Sequence, residues 1–383
     1  MQSCYSEEKI NTLKIIDPVT SNEKYDLLNH VESLEYIPLK ESESALLSIV
    51  VDMKKYQDQY IVKCYNRSAL FFFDSEGNFL KKIIATGEGP YEFSNLMDIA
   101  FDEKDEKIYL LDFDQKKILT YDLKNDKILN TEKGLNLHSY SIAHYKSKIF
   151  AISMNDNSGI IKIYDDDTMN QLGAGVYGKH PIFNRLVTQK NMEVFQDTLF
   201  ISASFSDTIY YSNGKMIKPY AVLGVGNTSL SSINNQPDFE TRVNSNFKVS
   251  ESEKKILTPR GFFSVYNNIW FIEMVWPYQM IVWDRKKEVQ KLIDFRNIKN
   301  RSLLYNYQMF KILFVDEMGY AYSSIILNDK FYQAAENVIN SENYSSTIRN
   351  EIKKILKKYP KNAGFENPVI VKYKINADFY YSL

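Results

Sequence analysis

Five polar residues stand near the beginning of recurring strand-like segments and could act together on a ligand. They are Asp98, Asn191, Glu193, Arg260 and Lys311. Carboxylates and amides bind hard cations such as calcium, and a carboxylate can also serve as a general base. The two cationic members would oppose a bound metal ion, so the set favours a mixed polar funnel over a metal cage. No metal ligand or cofactor is therefore assigned, and calcium is the one ion left open.

A second set of residues combines aromatic rings with arginine in predicted turns. Its members are Arg67, Phe113, Phe205, Trp276 and Tyr278. Exposed aromatic side chains beside arginine are typical of surfaces that contact a protein or a carbohydrate. Trp276 has an alternative interpretation, in which it packs beneath a neighbouring insertion of the chain.

Linear enzyme motifs do not assign a reaction. Gly173 to Gly178 has the spacing of a dinucleotide-binding loop, but His180 and Pro181 follow where a helix should begin, which indicates a connector instead. Asp165 to Asp167 is interpreted as a hairpin turn, because the terminal glutamate of a calcium loop is missing. The four histidines show no metal-binding spacing. No catalytic residue is assigned, and a non-enzymatic role is favoured.

The charge balance argues against binding to nucleic acid. The chain has 47 basic and 48 acidic residues, a net charge of −1, so nothing in its composition attracts a polyanion. No run of 18 apolar residues occurs, which predicts that no helix spans a membrane. Any membrane contact is expected to be made through an N-terminal lipid.

Cys4 is the candidate for that lipid. It follows Ser3, and this pair resembles the end of a bacterial lipoprotein cleavage site whose hydrophobic segment would lie upstream. The alternative is an incidental cysteine in a flexible terminus. Cys64, the second cysteine, lies in a strand-like run and is interpreted as a core residue. Residues 1–15 are predicted to be a flexible tether.

Six imperfect repeats dominate the rest of the chain. Second strands of the repeat begin near Tyr60, Ile108, Ile149, Leu199, Ile269 and Tyr320. Their spacings are between 41 and 51 residues, apart from one gap of 70, and these are the periods of propeller blades. The sequence predicts an all-β chain: a six-bladed β-propeller of four-stranded antiparallel blades, forming one domain over residues 16–383.

Strand alternation predicts how this ring closes and where its insertions lie. The last blade lacks a fourth strand, which the N-terminal segment Ser33 to Leu39 can supply. Insertions at about 224–259 and 328–367 fall on one face of the ring. The second contains an apolar stripe from Ile348 to Tyr359, which predicts a helix ended by Pro360, and a shorter helix is expected over Lys330 to Ile339.

The blade pattern and the segment Gly87 to Phe93 resemble the six-bladed propeller lipoproteins of Gram-negative bacteria, which are similar in fold to TolB and NHL-repeat propellers. The resemblance extends from about Ile15 to the end of the chain. It implies this fold and an outer-membrane lipoprotein of the bacterial cell envelope, facing the surface or the periplasm. It implies no activity.

Three hypotheses about function follow. The leading one is a monomeric, envelope-anchored, non-enzymatic propeller that binds a protein, peptide or glycan through the face carrying both insertions. The alternative is a metal-dependent lactonase, esterase or lyase in the central channel, with Asp98 or Glu193 as metal ligand or base. The third is a purely structural scaffold.

Overall fold

The computed structural model describes most of the chain. The described ranges are 13–16, 19–21, 26–40, 47–65, 68–84, 87–133, 139–153, 160–175, 191–202, 208–223, 259–266, 268–274, 279–294, 298–305 and 312–376. Within these ranges the strands form six sheets, each containing one antiparallel four-stranded blade of a ring, and two of the sheets have a fifth strand. The predicted six-bladed propeller is confirmed.

Three strands, two of them only three residues long, precede the first blade, and each joins the outer edge of a later blade. They are β1 (Lys14–Ile16), β2 (Val19–Ser21) and β3 (Val31–Pro38). A 3-10 helix, Leu27–His30, leads into β3 and buries Leu27 and Leu28.

The first three blades follow in chain order. Blade one has β4 (Val50–Tyr56), β5 (Gln59–Cys64), β6 (Leu70–Asp74) and β7 (Phe79–Ile83). Blade two has β8 (Leu96–Asp102), β9 (Lys107–Asp112), β10 (Lys117–Asp122) and β11 (Lys127–Lys133). Blade three has β12 (Ser139–His144), β13 (Lys148–Ser153), β14 (Ile161–Asp165) and β15 (Gln171–Gly175).

The remaining blades include the N-terminal strand. Blade four has β16 (Met192–Phe195), β17 (Thr198–Ser202), β18 (Thr208–Ser212) and β19 (Ile217–Leu223). Blade five has β20 (Pro259–Tyr266), β21 (Ile269–Met274), β22 (Gln279–Asp284) and β23 (Val289–Asp294). Blade six has β24 (Phe314–Val315), β25 (Ala321–Ile325), β26 (Val369–Ile375) and, outermost, β3.

The ring closes as the sequence predicts. Strand β3 pairs antiparallel with β26, so that Pro38 faces Val369 and Ser33 faces Lys374. This pairing joins the N-terminal segment to the last strand of the ring, so β26 has no unpaired edge.

The N-terminal segment does more than close the ring. Strand β1 pairs in parallel with β19 of blade four, and β2 pairs in parallel with β23 of blade five. The predicted tether of residues 1–15 therefore overlaps a strand at Lys14 and Ile15. A three-residue strand carries too little hydrophobic pattern to be recognised in the sequence, and its partners lie more than 200 residues away.

Each joint between neighbouring blades has its own hydrophobic cluster. The aromatic side chains that the sequence supplies in abundance are used here: Phe72 packs with Tyr121 between blades one and two, and Phe200 packs with Trp270 between blades four and five. Third strands end in aspartates that fix the following turn, as at Asp74, whose Oδ1 accepts N–H bonds from Glu76 and Asn78.

Both predicted helices of the last insertion are present. They are α1 (Asp329–Ile339) and α2 (Ser346–Lys358). Tyr359 is the C-cap of α2 and directly precedes Pro360. Helix α2 packs along the closing strand β3, and Phe331 of α1 meets the ring of Tyr36 edge-on. These helices stabilise the closure of the ring. None of the helices in the described ranges is long and apolar enough to cross a membrane.

Candidate functional site

The innermost strands share a local irregularity that shapes the central channel. A β-bulge interrupts the pairing of β4, β8, β12 and β20 near the beginning of each strand. The residues just after the bulge in the first three are Asp52, Asp98 and Ser141. A bulge turns the next side chain to a new direction, and here the redirected side chains line the channel.

The channel has a volume of about 950 Å³ and is rich in carboxylates. Innermost strands and adjoining turns of five blades contribute to its described wall. Its acidic residues are Asp52, Asp98, Glu103, Glu193, Asp197, Asp316 and Glu317, and its lysines are Lys54, Lys104 and Lys146. Seven carboxylates against three lysines give the described wall a negative charge, which attracts cationic groups.

Asp98 is the most perturbed carboxylate of the channel. Its Oδ2 accepts hydrogen bonds from the Ser141 hydroxyl at 2.9 Å and the Ile142 N–H at 2.8 Å, which join blade two to blade three. Burial, with the nearby charge of Asp52, raises the pKa of Asp98 to about 6. The carboxyl group is therefore poised to gain or lose a proton close to neutral pH.

Lys63 lies behind Asp98 in the wall. It is the cross-strand neighbour of Asp52, and its side chain is only 5% exposed. Burial lowers the pKa of Lys63, against the opposing effect of Asp98 and Asp52. The equivalent positions in blades two and three are Leu111 and Ile152, so neither of these blades has a lysine here.

The other predicted channel residues occupy varied positions. Asn191 is buried on the wall, and its Nδ2 donates to the Ser202 carbonyl at 3.0 Å. Glu193 also lines the channel, two residues along the same segment. Arg260 belongs to β20 at its bulge, but its side chain and the whole of Lys311 lie outside the described residues.

Most of the predicted contact residues fall outside the description. Arg67, Phe205, Trp276 and Tyr278 are in this group. Cys4, the candidate for lipidation, also lies outside the described residues. Phe113 is described: it is partly buried and packs against the hydrophobic cluster between blades three and four. Its ring is therefore at least partly used in the core.

The segment Gly87 to Phe93 is a connector whose loop is held by blade two. The N–H of Gly89 donates to Glu92 Oε2 at 2.9 Å. The Lys117 ammonium, which is fully buried, donates to the Gly89 carbonyl at 2.9 Å, and Gln115 Nε2 donates to the Gly87 carbonyl at 2.6 Å. A Cβ at Gly89 would lie 2.9 Å from Glu92 Oε2, the end of an exposed side chain that can shift.

The second glycine motif is also structural where it is described. Gly173 and Gly175 lie in β15, the outer strand of blade three, and not in a loop that precedes a helix. A Cβ at Gly175 would lie 3.0 Å from the side chain of Ile217 in blade four. Close approach between blades therefore accounts for this glycine, and the segment Val176 to Gly178 lies outside the described residues.

One polar cluster was missed by sequence reasoning. His144 Nε2 lies 2.8 Å from Asp166 Oδ2 and 3.7 Å from Asp102 Oδ2. Asp102 and His144 end the innermost strands of blades two and three, and Asp166 begins a turn of blade three. No regular spacing along the sequence connects the three residues. Asp166, interpreted only as a turn residue, is 8% exposed and faces the histidine.

Together these features define a class: a closed six-bladed propeller with an acidic central channel. The chain belongs to the family described as "Domain of unknown function (DUF4934)", whose family model matches residues 10–374. Comparison with curated proteins gave no match.

A solved structure resembles the chain in fold, and a second one matches it less well. A crystal structure of a Bacteroides fragilis protein described as exported has a TM-score of 0.72 at 14% identity, covering 95% of this chain and 100% of that chain. A member of the DUF4221 family from Bacteroides vulgatus has a TM-score of 0.46 at 12% identity, covering 90% of this chain and 97% of its own. The likeness to TolB and NHL propellers stays a prediction.

Proposed function

We propose that the protein is an envelope-anchored, non-enzymatic propeller that binds a cation-bearing segment of a partner protein or peptide in its central channel. The observation that carries this proposal is the excess of carboxylates on the described channel wall, seven against three lysines. A cavity of about 950 Å³ accommodates a few side chains of a peptide.

The approach to the channel is proposed to be the face that carries both insertions. Asp52, Asp98 and Asn191 stand at the beginning of innermost strands, which is the end of the channel on that face. Lysine or arginine side chains entering there would meet carboxylates held on rigid strands. Fixed carboxylates recognise cations with little reorganisation, which supports binding.

Anchoring at the envelope is the less direct part of the proposal. It rests on Ser3 and Cys4, which resemble a lipoprotein cleavage site. The structural relative described as exported points the same way. Labelling of cells with a radioactive fatty acid should mark the full-length protein, and Cys4→Ser should abolish the label.

Binding can be tested with fluorescent tetralysine and tetraglutamate peptides by anisotropy. We expect tetralysine to bind and tetraglutamate not to bind. Glu193→Gln should weaken tetralysine binding by about fivefold, because one charge interaction is worth ~1 kcal/mol. Salt should weaken it further.

Asp329→Asn is the matched control, because Asp329 is exposed on helix α1 and does not line the channel. Its affinity for tetralysine should equal that of the unaltered protein. Equal binding of the two peptides, or an unchanged affinity in Glu193→Gln, would overturn the proposal for the channel.

A further inference from the structure

We propose that Asp102, His144 and Asp166 form a binding site for a divalent transition-metal ion of the zinc type, at the joint between blades two and three. The site lies at the end of the channel where the innermost strands end, opposite the mouth that carries Asp98. It is independent of the peptide-binding proposal, since it uses none of the residues at the other mouth.

The geometry suits a single small ion. One ligand atom from each residue lies within 4.8 Å of the other two, and His144 Nε2 is 2.8 Å from Asp166 Oδ2. Nitrogen and oxygen ligands bind zinc at about 2.0–2.2 Å, so two ligands of one ion stand ~3.3 Å apart. The two separations from His144 Nε2, 2.8 Å to Asp166 and 3.7 Å to Asp102, each lie within about 0.5 Å of this value.

The hydroxyl of Tyr109 is an independent indication of a ligand. Tyr109 is fully buried, and its ring stacks on His144 with centroids 5.4 Å apart. Among the described residues its hydroxyl has no hydrogen-bond partner, although a buried hydroxyl ordinarily has one. Stacking on the imidazole of His144 holds the Tyr109 ring beside the cluster, so this hydroxyl is available to a ligand there.

The local charge also favours a cation. Asp102 and Asp166 are buried, at 5% and 8% exposure, and share one imidazole. The nearby Lys107 ammonium is directed instead to Asp105 at 3.8 Å and Asp167 at 3.6 Å. Buried carboxylates are costly unless they are paired or bind a metal, and a divalent ion would neutralise both.

The surroundings hold the ligands and leave a path for the ion. Asp102 Oδ1 accepts N–H bonds from Lys104 at 3.1 Å and Asp105 at 3.2 Å, which leaves Oδ2 directed at the histidine. Such outer hydrogen bonds orient metal ligands. His144 lines the channel, which gives entry from solvent. One imidazole with two carboxylates favours zinc or manganese over calcium, which takes six to eight oxygens.

The test is calorimetric titration of the metal-free full chain with zinc, manganese and calcium chlorides. We expect one zinc ion per chain, bound at least about a hundredfold more tightly than calcium. His144→Gln and Asp166→Asn should each weaken zinc binding by about tenfold or more. Asp167→Asn, in the same turn but exposed, should bind zinc like the unaltered protein.

Thermal unfolding supplies a readout that does not depend on a single variant. Zinc should raise the Tm of the unaltered protein and of Asp167→Asn, but not that of His144→Gln. Failure of the unaltered protein to bind zinc would overturn the proposal. The proposal would also be overturned if His144→Gln and Asp166→Asn bound zinc as tightly as the unaltered protein does. The cluster would then be an ion pair, and the zinc would be held elsewhere.

Discussion

Two joints between blades show opposite chemistry. Between blades four and five the joint is aromatic: Trp270 lies 4.6 Å from Phe200 and 5.3 Å from Trp283, measured between ring centroids, and the Arg285 guanidinium lies over the Trp270 ring. Between blades two and three the joint is polar at both ends. At one end Asp98 accepts a hydrogen bond from Ile142 of blade three, and at the other lies the cluster of Asp102, His144 and Asp166.

The edges of the two joints differ as well. Blade four is covered on its outer side by β1, whose Ile16 is fully buried against the aromatic cluster. Among described residues, blades two and three have no such covering strand, and their outer strands β11 and β15 carry lysines or glycines instead. Lysines and short strands protect bare edges from pairing with other chains. One joint is thus built for cohesion, while the other carries ionisable groups.

The largest expected effect is at the aromatic joint. Trp270→Ala removes a fully buried ring that contacts Phe200, Tyr220 and Trp283, so we expect a loss of about 3–5 kcal/mol in the free energy of unfolding. Denaturant titration followed by circular dichroism measures it. Leu172→Ala, at a side chain 53% exposed in blade three, should change stability by less than about 0.5 kcal/mol. A loss at Trp270 as small as this would contradict the cohesive role of the joint.

The covering strand should contribute a smaller amount. Ile16→Ala removes a fully buried side chain from β1, and we expect a loss of about 2 kcal/mol. The neighbouring Ile15 is 70% exposed, so Ile15→Ala is a control with the same chemistry and little expected effect. Equal Tm values for the two variants would show that β1 does not stabilise blade four.

The polar joint should respond to pH instead. Because the folded state raises the pKa of Asp98 to about 6, its carboxyl contributes stability fully below about pH 4, and this contribution is lost as the pH rises through about 6. Asp98→Asn keeps an oxygen for Ser141 and Ile142 and carries no charge. We expect it to be more stable than the unaltered protein at pH 8 by about 1–2 kcal/mol and nearly equal at pH 4.

The control for that prediction has the opposite sign. The Asn125 side chain and N–H hold the pKa of Asp122 below its usual value, so its contribution is present at neutral pH and is lost as the pH falls. Asp122→Asn should therefore lower the Tm at pH 8. A pH-independent effect of Asp98→Asn would show that the joint does not depend on the charge of Asp98.

Much of the fold was accessible from sequence because the repeat is local. Apolar runs ending in aspartate predict third strands such as Leu70–Asp74, and the apolar stripe from Ile348 predicts helix α2. The fourth strand of blade three, Gln171–Gly175, was a weak signal because two glycines interrupt it. Strands β1 and β2 were missed because three residues are too few to show a period.

The sequence by itself determined the number of blades, the closing strand and the two helices, since each depends on neighbours a few residues apart or on a pattern repeated six times. Only the tertiary structure decided which polar residues meet. Asp98 reaches Ile142 and His144 reaches Asp102 across a joint between blades, while His144 meets Asp166 within blade three. Contacts of this kind depend on where each side chain points along its strand, which a bulge can change, and on the angle between blades. Spacing along the chain encodes neither.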